Sequence, residues 1–127
     1  MAVDYTQTIL TMSRGDRRRF TFTVLDADGT TPINITGWSL WFTGKLDFSD
    51  ADAAAIFMLT VANGGIVVNN AATGACTATL QPTHTDSLPD VQTKVLVEVQ
   101  GKSGSGDVNT LKGGHILVNP ELTRTTT

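Results

Sequence analysis

The chain has 127 residues, with nine Lys+Arg against twelve Asp+Glu for a formal net charge of −3. That length suits one ordinary domain, able to bury roughly two-thirds of its unfolded surface without metal or disulfide staples. So mild an acidity excludes a nucleic-acid binder driven by phosphate attraction, and with charged residues at only 17% and 21 threonines the composition suits strands, turns and packed interfaces.

Period-two alternation of apolar residues is the dominant pattern, and it predicts strands. Phe20, Phe22 and Val24 share one face, with Thr21 and Thr23 on the other. Asp26-Ala27-Asp28-Gly29 reads as a turn, because Asp and Gly tolerate left-handed backbone. Trp38, Leu40 and Phe42 form a second inward set, which turns Trp41 to the opposite face. Asp50 to Ala55, acidic first and alanine-rich after, predicts a short helix. Cys76, Ala78 and Leu80 form a third inward set, and Pro82 to Leu88 predicts a single helical turn. Val95, Val97 and Val99 form a fourth, with Glu98 and Gln100 outward; Ile116 and Val118 begin the last, stopped by Pro120, which cannot donate to a ladder. Asn63-Gly64-Gly65, Asn69 through Gly74, and a hairpin loop at Gly101 to Gly106 supply the turns. Turn signals about every ten residues predict an antiparallel sandwich or barrel. It is read as one domain over 1–127, with partner-contacting arms at 1–12 and 120–127.

Single cysteine Cys76 rules out an intrachain disulfide, a cysteine-based zinc site and a CxxC redox pair. No apolar run approaches the ~18 residues of a membrane span, and residues 1–19 lack the apolar core of a signal peptide. The expectation is a chain folded in a cytoplasm with its thiol reduced.

Most motifs with chemical potential fail on spacing. Arg14-Gly15-Asp16 resembles an integrin-binding tripeptide, but it abuts a strand start and reads as a turn. Arg17, Arg18 and Arg19 alternate in direction along a strand, so they form no continuous anion patch and suit a solvated edge or inter-subunit salt bridges. Gly101-Lys102-Ser103 echoes a phosphate loop, yet Leu96 stands where its first glycine belongs. Asp26-x-Asp28-Gly29 resembles the opening of a calcium loop, but its twelfth position is Gly37 and not glutamate. Asp47, Asp50 and Asp52 fit capping of a short helix. His84, with Asp86 two residues on, has no serine in a G-x-S-x-G turn to activate, and His115 reads as a sheet-edge residue. No catalytic, metal or cofactor site is expected. Trp41 stands out, because an outward indole is costly unless a protein partner, a sugar or another sheet covers it.

The order of short motifs is similar to that of an immunoglobulin-like module of tailed-phage virions, the amino-terminal domain of phage baseplate upper proteins. Gly15-Asp16 opens the first strand and Asp28-Gly29 follows it. Then come Ile33-Asn34-Ile35-Thr36-Gly37, Gly65-Ile66, Thr73-Gly74 and Leu80-Gln81-Pro82-x-x-Thr85-x-x-Leu88. Val97-Glu98-Val99, Thr110-Leu111 with Gly114, and Val118-x-Pro120-x-x-Thr123-Arg124 complete the series. The resemblance implies an all-β, antiparallel immunoglobulin-like β-sandwich with one or two short helical turns, used as a structural connector without catalysis. It departs from the baseplate type in ending at Thr127 with no fibre segment, which leaves tail, neck, baseplate and capsid surface open.

The implied role is a virion protein, made in the host bacterial cytoplasm and acting through multivalent contacts with other virion proteins. It is expected to form a homo-oligomer, with a trimer as one form, and to bind neither nucleic acid nor membrane. The candidate contact residues are Trp41, Arg17, Arg18, Arg19, Tyr5 and Arg124. The rival reading on the same sandwich is a carbohydrate-binding or host-adhesion module, with Trp41 or Tyr5 as the stacking platform.

Overall fold

Inward apolar sets from strands distant in sequence meet between two sheets. The computed structural model describes residues 7–25, 30–47, 49–86, 88–89 and 91–120. Among these, the strands are β1 (Thr8–Ser13), β2 (Arg18–Thr23), β3 (Ser39–Lys45), β4 (Phe57–Thr60), β5 (Ile66–Asn70), β6 (Ala75–Leu80), β7 (Thr93–Lys102) and β8 (Val108–Asn119). One sheet runs β1-β8-β7-β3-β4 and the other β2-β6-β5. Set against each other, β4-β3-β7-β8 and β2-β6-β5 follow the immunoglobulin arrangement, C′-C-F-G facing B-E-D. The fold is an all-β immunoglobulin-like sandwich.

The predicted inward sets make up most of the core. Phe22, Val24, Leu40, Phe42, Cys76, Ala78, Leu80, Val95, Val97, Val99, Ile116 and Val118 are all buried, while Phe20 and Trp38, expected with them, are partly buried and pack against it. The sheets are joined by aromatic rings on β2, β3 and β4, and not by the disulfide that antibody domains place between the strands corresponding to β2 and β7. Phe20 on β2 stacks on Phe42 of β3 at 5.5 Å between centroids, and Phe42 meets Phe57 of β4 at 5.4 Å. Gly44 makes room for this, since a Cβ there would overlap the ring of Phe57, its cross-strand partner.

Several expectations change in detail. The sheet is not wholly antiparallel, because β1 pairs with β8 in parallel, Leu10 opposite Ile116 and Met12 opposite Val118. Residues 8–12, expected in a contact arm, therefore lie in a sheet strand, and Met12 is buried. Gly114 permits that pairing: a Cβ on it would come within 2.7 Å of the Gln7 carbonyl oxygen. Asp50–Ala55 yields only a 3-10 turn at Asp52–Ala54, and Pro82–Leu88 one at Pro82–His84. Strand β7 extends through Lys102 and β8 starts at Val108, so the hairpin loop is shorter than Gly101–Gly106 and shifted to Ser103–Asp107. The turn expected at Asp26–Gly29, and arm residues 1–6 and 121–127, lie outside the described residues.

Phe42 is fully buried, so Phe42→Ala should cost about 3–5 kcal/mol, read as a shift in the urea midpoint. Gly44→Ala should lower the melting temperature despite adding a single methyl, because Phe57 has to move; an unchanged midpoint would contradict the overlap.

Candidate functional site

Backbone pleat decides what the five-stranded sheet shows to solvent. With Leu40 and Phe42 inward, Trp41 and Thr43 must point outward. Trp41 lies opposite Thr60 on β4 and Gln100 on β7, and Thr43 opposite Met58 and Glu98. Together with Asp52 and Val108 these side chains line a groove of about 280 Å³ crossing four strands: Trp41, Thr43, Met58, Glu98 and Gln100. Trp41 is thus not a bare surface indole, as the sequence suggests. It is half-buried as one wall of a depression.

Lys45 fixes one end of the groove. Its ammonium donates to the Asp50 carbonyl at 2.9 Å and pairs with Asp52 Oδ1 at 2.8 Å, holding the 3-10 turn against the sheet. Gln100 Nε2 donates weakly to Thr110 Oγ1 at 3.5 Å. Among the described residues neither the Thr43 hydroxyl nor the Trp41 indole N–H has a hydrogen-bond partner in the protein, and the Thr43 oxygen is open to solvent, since it is not among the buried atoms left without one. Sequence reasoning singles out Trp41 but not Thr43, because nothing in the string Trp41-Phe42-Thr43 distinguishes a groove-lining hydroxyl from the other strand threonines.

The arginines sit elsewhere. Arg17, Arg18 and Arg19 are exposed at the start of β2, on the opposite sheet. Arg18 reaches across to the Thr11 carbonyl of β1 at 3.4 Å, in the direction opposite to Arg19, as alternation requires. The structure does not bring them to Trp41; Tyr5 and Arg124 lie outside the described residues. The Arg14-Gly15-Asp16 tripeptide is a structural corner. Arg14 Nη1 donates to the Leu88 carbonyl at 2.7 Å, and the Gly15 N–H donates to the buried Thr85 hydroxyl at 2.8 Å. Gly101 and Lys102 lie within β7, so no phosphate cradle forms around them.

Nor do the other reactive types converge. His84 caps its own 3-10 turn, its Nδ1 accepting the Gln81 N–H at 2.9 Å, and its ring rests 6.1 Å from that of Phe57. Burial holds the imidazole below its ordinary value of 6.5. The cavity beside it is lined by Met58, Leu59, Asn63, Gly64, Gly65, Thr79 and Gln81, with no serine among the described residues. His115 is not at an edge: it lies on β8 between β1 and β7, is 5% exposed, and its Nε2 is 2.7 Å from Thr8 Oγ1. Burial pushes the Cys76 thiol up to about 11, which keeps it from forming the nucleophilic thiolate. Asp47 is held below the ordinary carboxylate range by the backbone and hydroxyl of Ser49, and its own N–H donates to Asp50; the acidic cluster is a turn network. Among the described residues no group of three or more His, Cys, Asp or Glu could hold a metal ion.

No protein-family model and no curated protein sequence matches the chain. Its similarities are to solved structures. The N-terminal domain of ORF48 of phage TP901-1, the baseplate upper protein, superposes with a TM-score of 0.51 at 12% identity, covering 87% of this chain and 84% of that one. Murine CRIg covers more, 94% of this chain and 97% of that one, but at a TM-score of 0.41 and 11% identity. The phage likeness joins the fold to the module that the sequence resembles.

Two measurements check the assignments of His84 and Cys76. His84 is depressed in the folded state, so its contribution to stability is complete above the unfolded value and is lost as pH falls through the folded one. The urea midpoint should fall from about pH 7 to pH 5 in the native chain and fall less in His84→Gln over that window; equal slopes would refute the assignment. Cys76 should resist Ellman's reagent at about pH 8 in the folded protein and react fully in urea, with rapid native labelling as the contrary result.

Proposed function

We propose that the chain is a non-enzymatic structural module of a tailed-phage virion, working through repeated protein–protein contacts. The observation that carries this reading is the superposition on the baseplate upper protein domain over most of both chains. The immunoglobulin strand order and the motif series in the sequence support it independently.

The physical character of the surface suits such a role. The three-stranded sheet turns Thr21, Thr23, Thr77 and Thr79 outward, an uncharged and shallow face flanked by Arg19. At its margin Arg17, Arg18 and Arg19 have no ion pair among the described residues. Exposed arginines of this kind serve as interface anchors, because the planar guanidinium binds carboxylates in a fixed geometry and stacks on aromatic faces. On a symmetric particle each contact need only be weak, since neighbouring contacts raise the effective concentration. The partners proposed are other virion proteins and further copies of the chain, with a trimer as one form.

Immunogold labelling of particles from a phage that carries the gene should mark the virion, and light scattering of the purified chain should show concentration-dependent assembly. Changing Arg17 and Arg19 together to Glu should weaken that assembly or particle incorporation at least tenfold while shifting stability by no more than about 0.5 kcal/mol. Unlabelled particles, with the protein only in the soluble lysate, would overturn the reading.

A further inference from the structure

We infer that the groove beside Trp41 receives the arginine run of a second copy of this chain, so that copies join head to tail. This contact rests on the self-association proposed above and gives it two named surfaces. Trp41 looks out from the five-stranded sheet, whereas Arg19 looks out from the three-stranded one, beside Thr79, with Arg17 exposed just before it. Within one chain the sandwich holds the two features apart. Between two chains they can meet.

A guanidinium is planar, permanently charged and able only to donate. The groove answers each property. The half-buried indole of Trp41 forms one wall, and an aromatic face attracts a guanidinium stacked on it. Asp52 gives one carboxylate oxygen to Lys45, and its other oxygen has no partner among the described residues. Gln100 spends its Nε2 on Thr110, which leaves its carbonyl oxygen as an acceptor. Glu98 is engaged within its own chain and adds nothing to the match. Lys45 is not in the lining, because its ammonium is turned to the Asp50 carbonyl and to Asp52.

Charge selects the occupant. The turn at the groove's end carries Asp47, Asp50 and Asp52 against the single Lys45. Arg17 to Arg19 are the only consecutive cations in the chain and include three of its nine. They begin an edge strand and have no ion pair among the described residues. Opposite charge on the two surfaces steers such an encounter and fixes its register. At about 280 Å³ the groove falls just under the ~300–1,000 Å³ of ordinary small-molecule sites, so it takes one long side chain and not a helix or a strand. Because the arginines and the groove lie on opposite faces, two copies cannot exchange both contacts with each other. Each contact leaves one groove and one arginine run open, and the series closes as a ring or continues as a filament.

The test is sedimentation velocity on the full chain from about 10 μM to about 1 mM. The native chain should assemble with a Kd of about 0.1–1 mM per contact, weakening several-fold in high salt. Trp41→Ala, and Arg17→Glu combined with Arg19→Glu, should each be monomeric over that range. Mixed in equal amounts, they should pair one to one and grow no further, since the first keeps its arginines and the second its groove. Gln100→Lys sets a cation in the groove without touching the indole, and should act as Trp41→Ala does. Arg17→Lys with Arg19→Lys should weaken assembly several-fold, because an ammonium lacks the planar fork. A native chain that stays monomeric at about 1 mM overturns the assignment. So does assembly that survives both groove variants, or a mixture that stays monomeric or grows as the native chain does. A chain found in particles yet monomeric alone removes this contact and leaves the virion role standing; assembly without incorporation does the reverse.

Discussion

The sandwich depends on the aromatic bridge that runs from Phe20 on one sheet through Phe42 to Phe57 on the other. Phe20 and Phe22 also stack within β2, at 5.8 Å between centroids. In antibody domains of this topology a disulfide spans the layers; here the sole cysteine lies on β6 with no partner, and ring packing takes over. Each such contact adds about 0.5–1.5 kcal/mol beyond the area it removes from water. The bridge also sets the outer surface. Because Phe42 has to face inward to reach Phe20, its neighbours Trp41 and Thr43 have to face outward, and the groove exists as a consequence of the core.

A different constraint governs how the sheets end. β1 lies parallel along β8, against Gly114, and the main-chain ladder continues from the Arg14 N–H to the Asn119 carbonyl. This covers an edge of β8 that would otherwise offer unpaired groups for aggregation. His115 is enclosed by that addition, bonded to Thr8 rather than to solvent. Two of the four edge strands are blunted in other ways: β4 is only four residues long, and β2 begins with consecutive arginines. Charge at an edge discourages indiscriminate strand pairing while leaving side chains available to a specific partner.

How far the chain discloses this fold depends on the alternation of each strand. Where small or polar residues separate inward apolar ones, as in Phe20-Thr21-Phe22-Thr23-Val24 or Val97-Glu98-Val99, the inward face is legible at once. β4 is less so, because Phe57-Met58-Leu59 is apolar throughout and only tertiary packing sends Met58 outward. β1 escapes notice because its partner is over a hundred residues away and pairs in parallel, a relation that no local turn signals. β8 is obscured by Gly113-Gly114, which reads as a break although the strand runs straight through it. Of the groove, the direction of Trp41 follows from parity alone. Its walls do not, since Asp52, Gln100 and Val108 come together only through the pairing of β3 with β7 and the anchoring of the loop by Lys45.

What separates Trp41 and Thr43 from the other polar residues in sheltered positions is how each one's hydrogen bonding is settled. Thr85 accepts from Gly15, His84 accepts from Gln81, and Thr77 donates to Asn69 at 2.7 Å. Those groups complete the fold, and removing any of them leaves its partner wanting. Thr43 and Trp41 are settled differently: they line an open groove, and the Thr43 oxygen, although its residue is only 9% exposed, is not among the buried atoms left without a partner, so solvent completes its bonding. The pleat that buries Phe42 therefore costs its outward neighbours nothing in hydrogen bonds, and the outer face of β3 stays polar without a penalty to the fold.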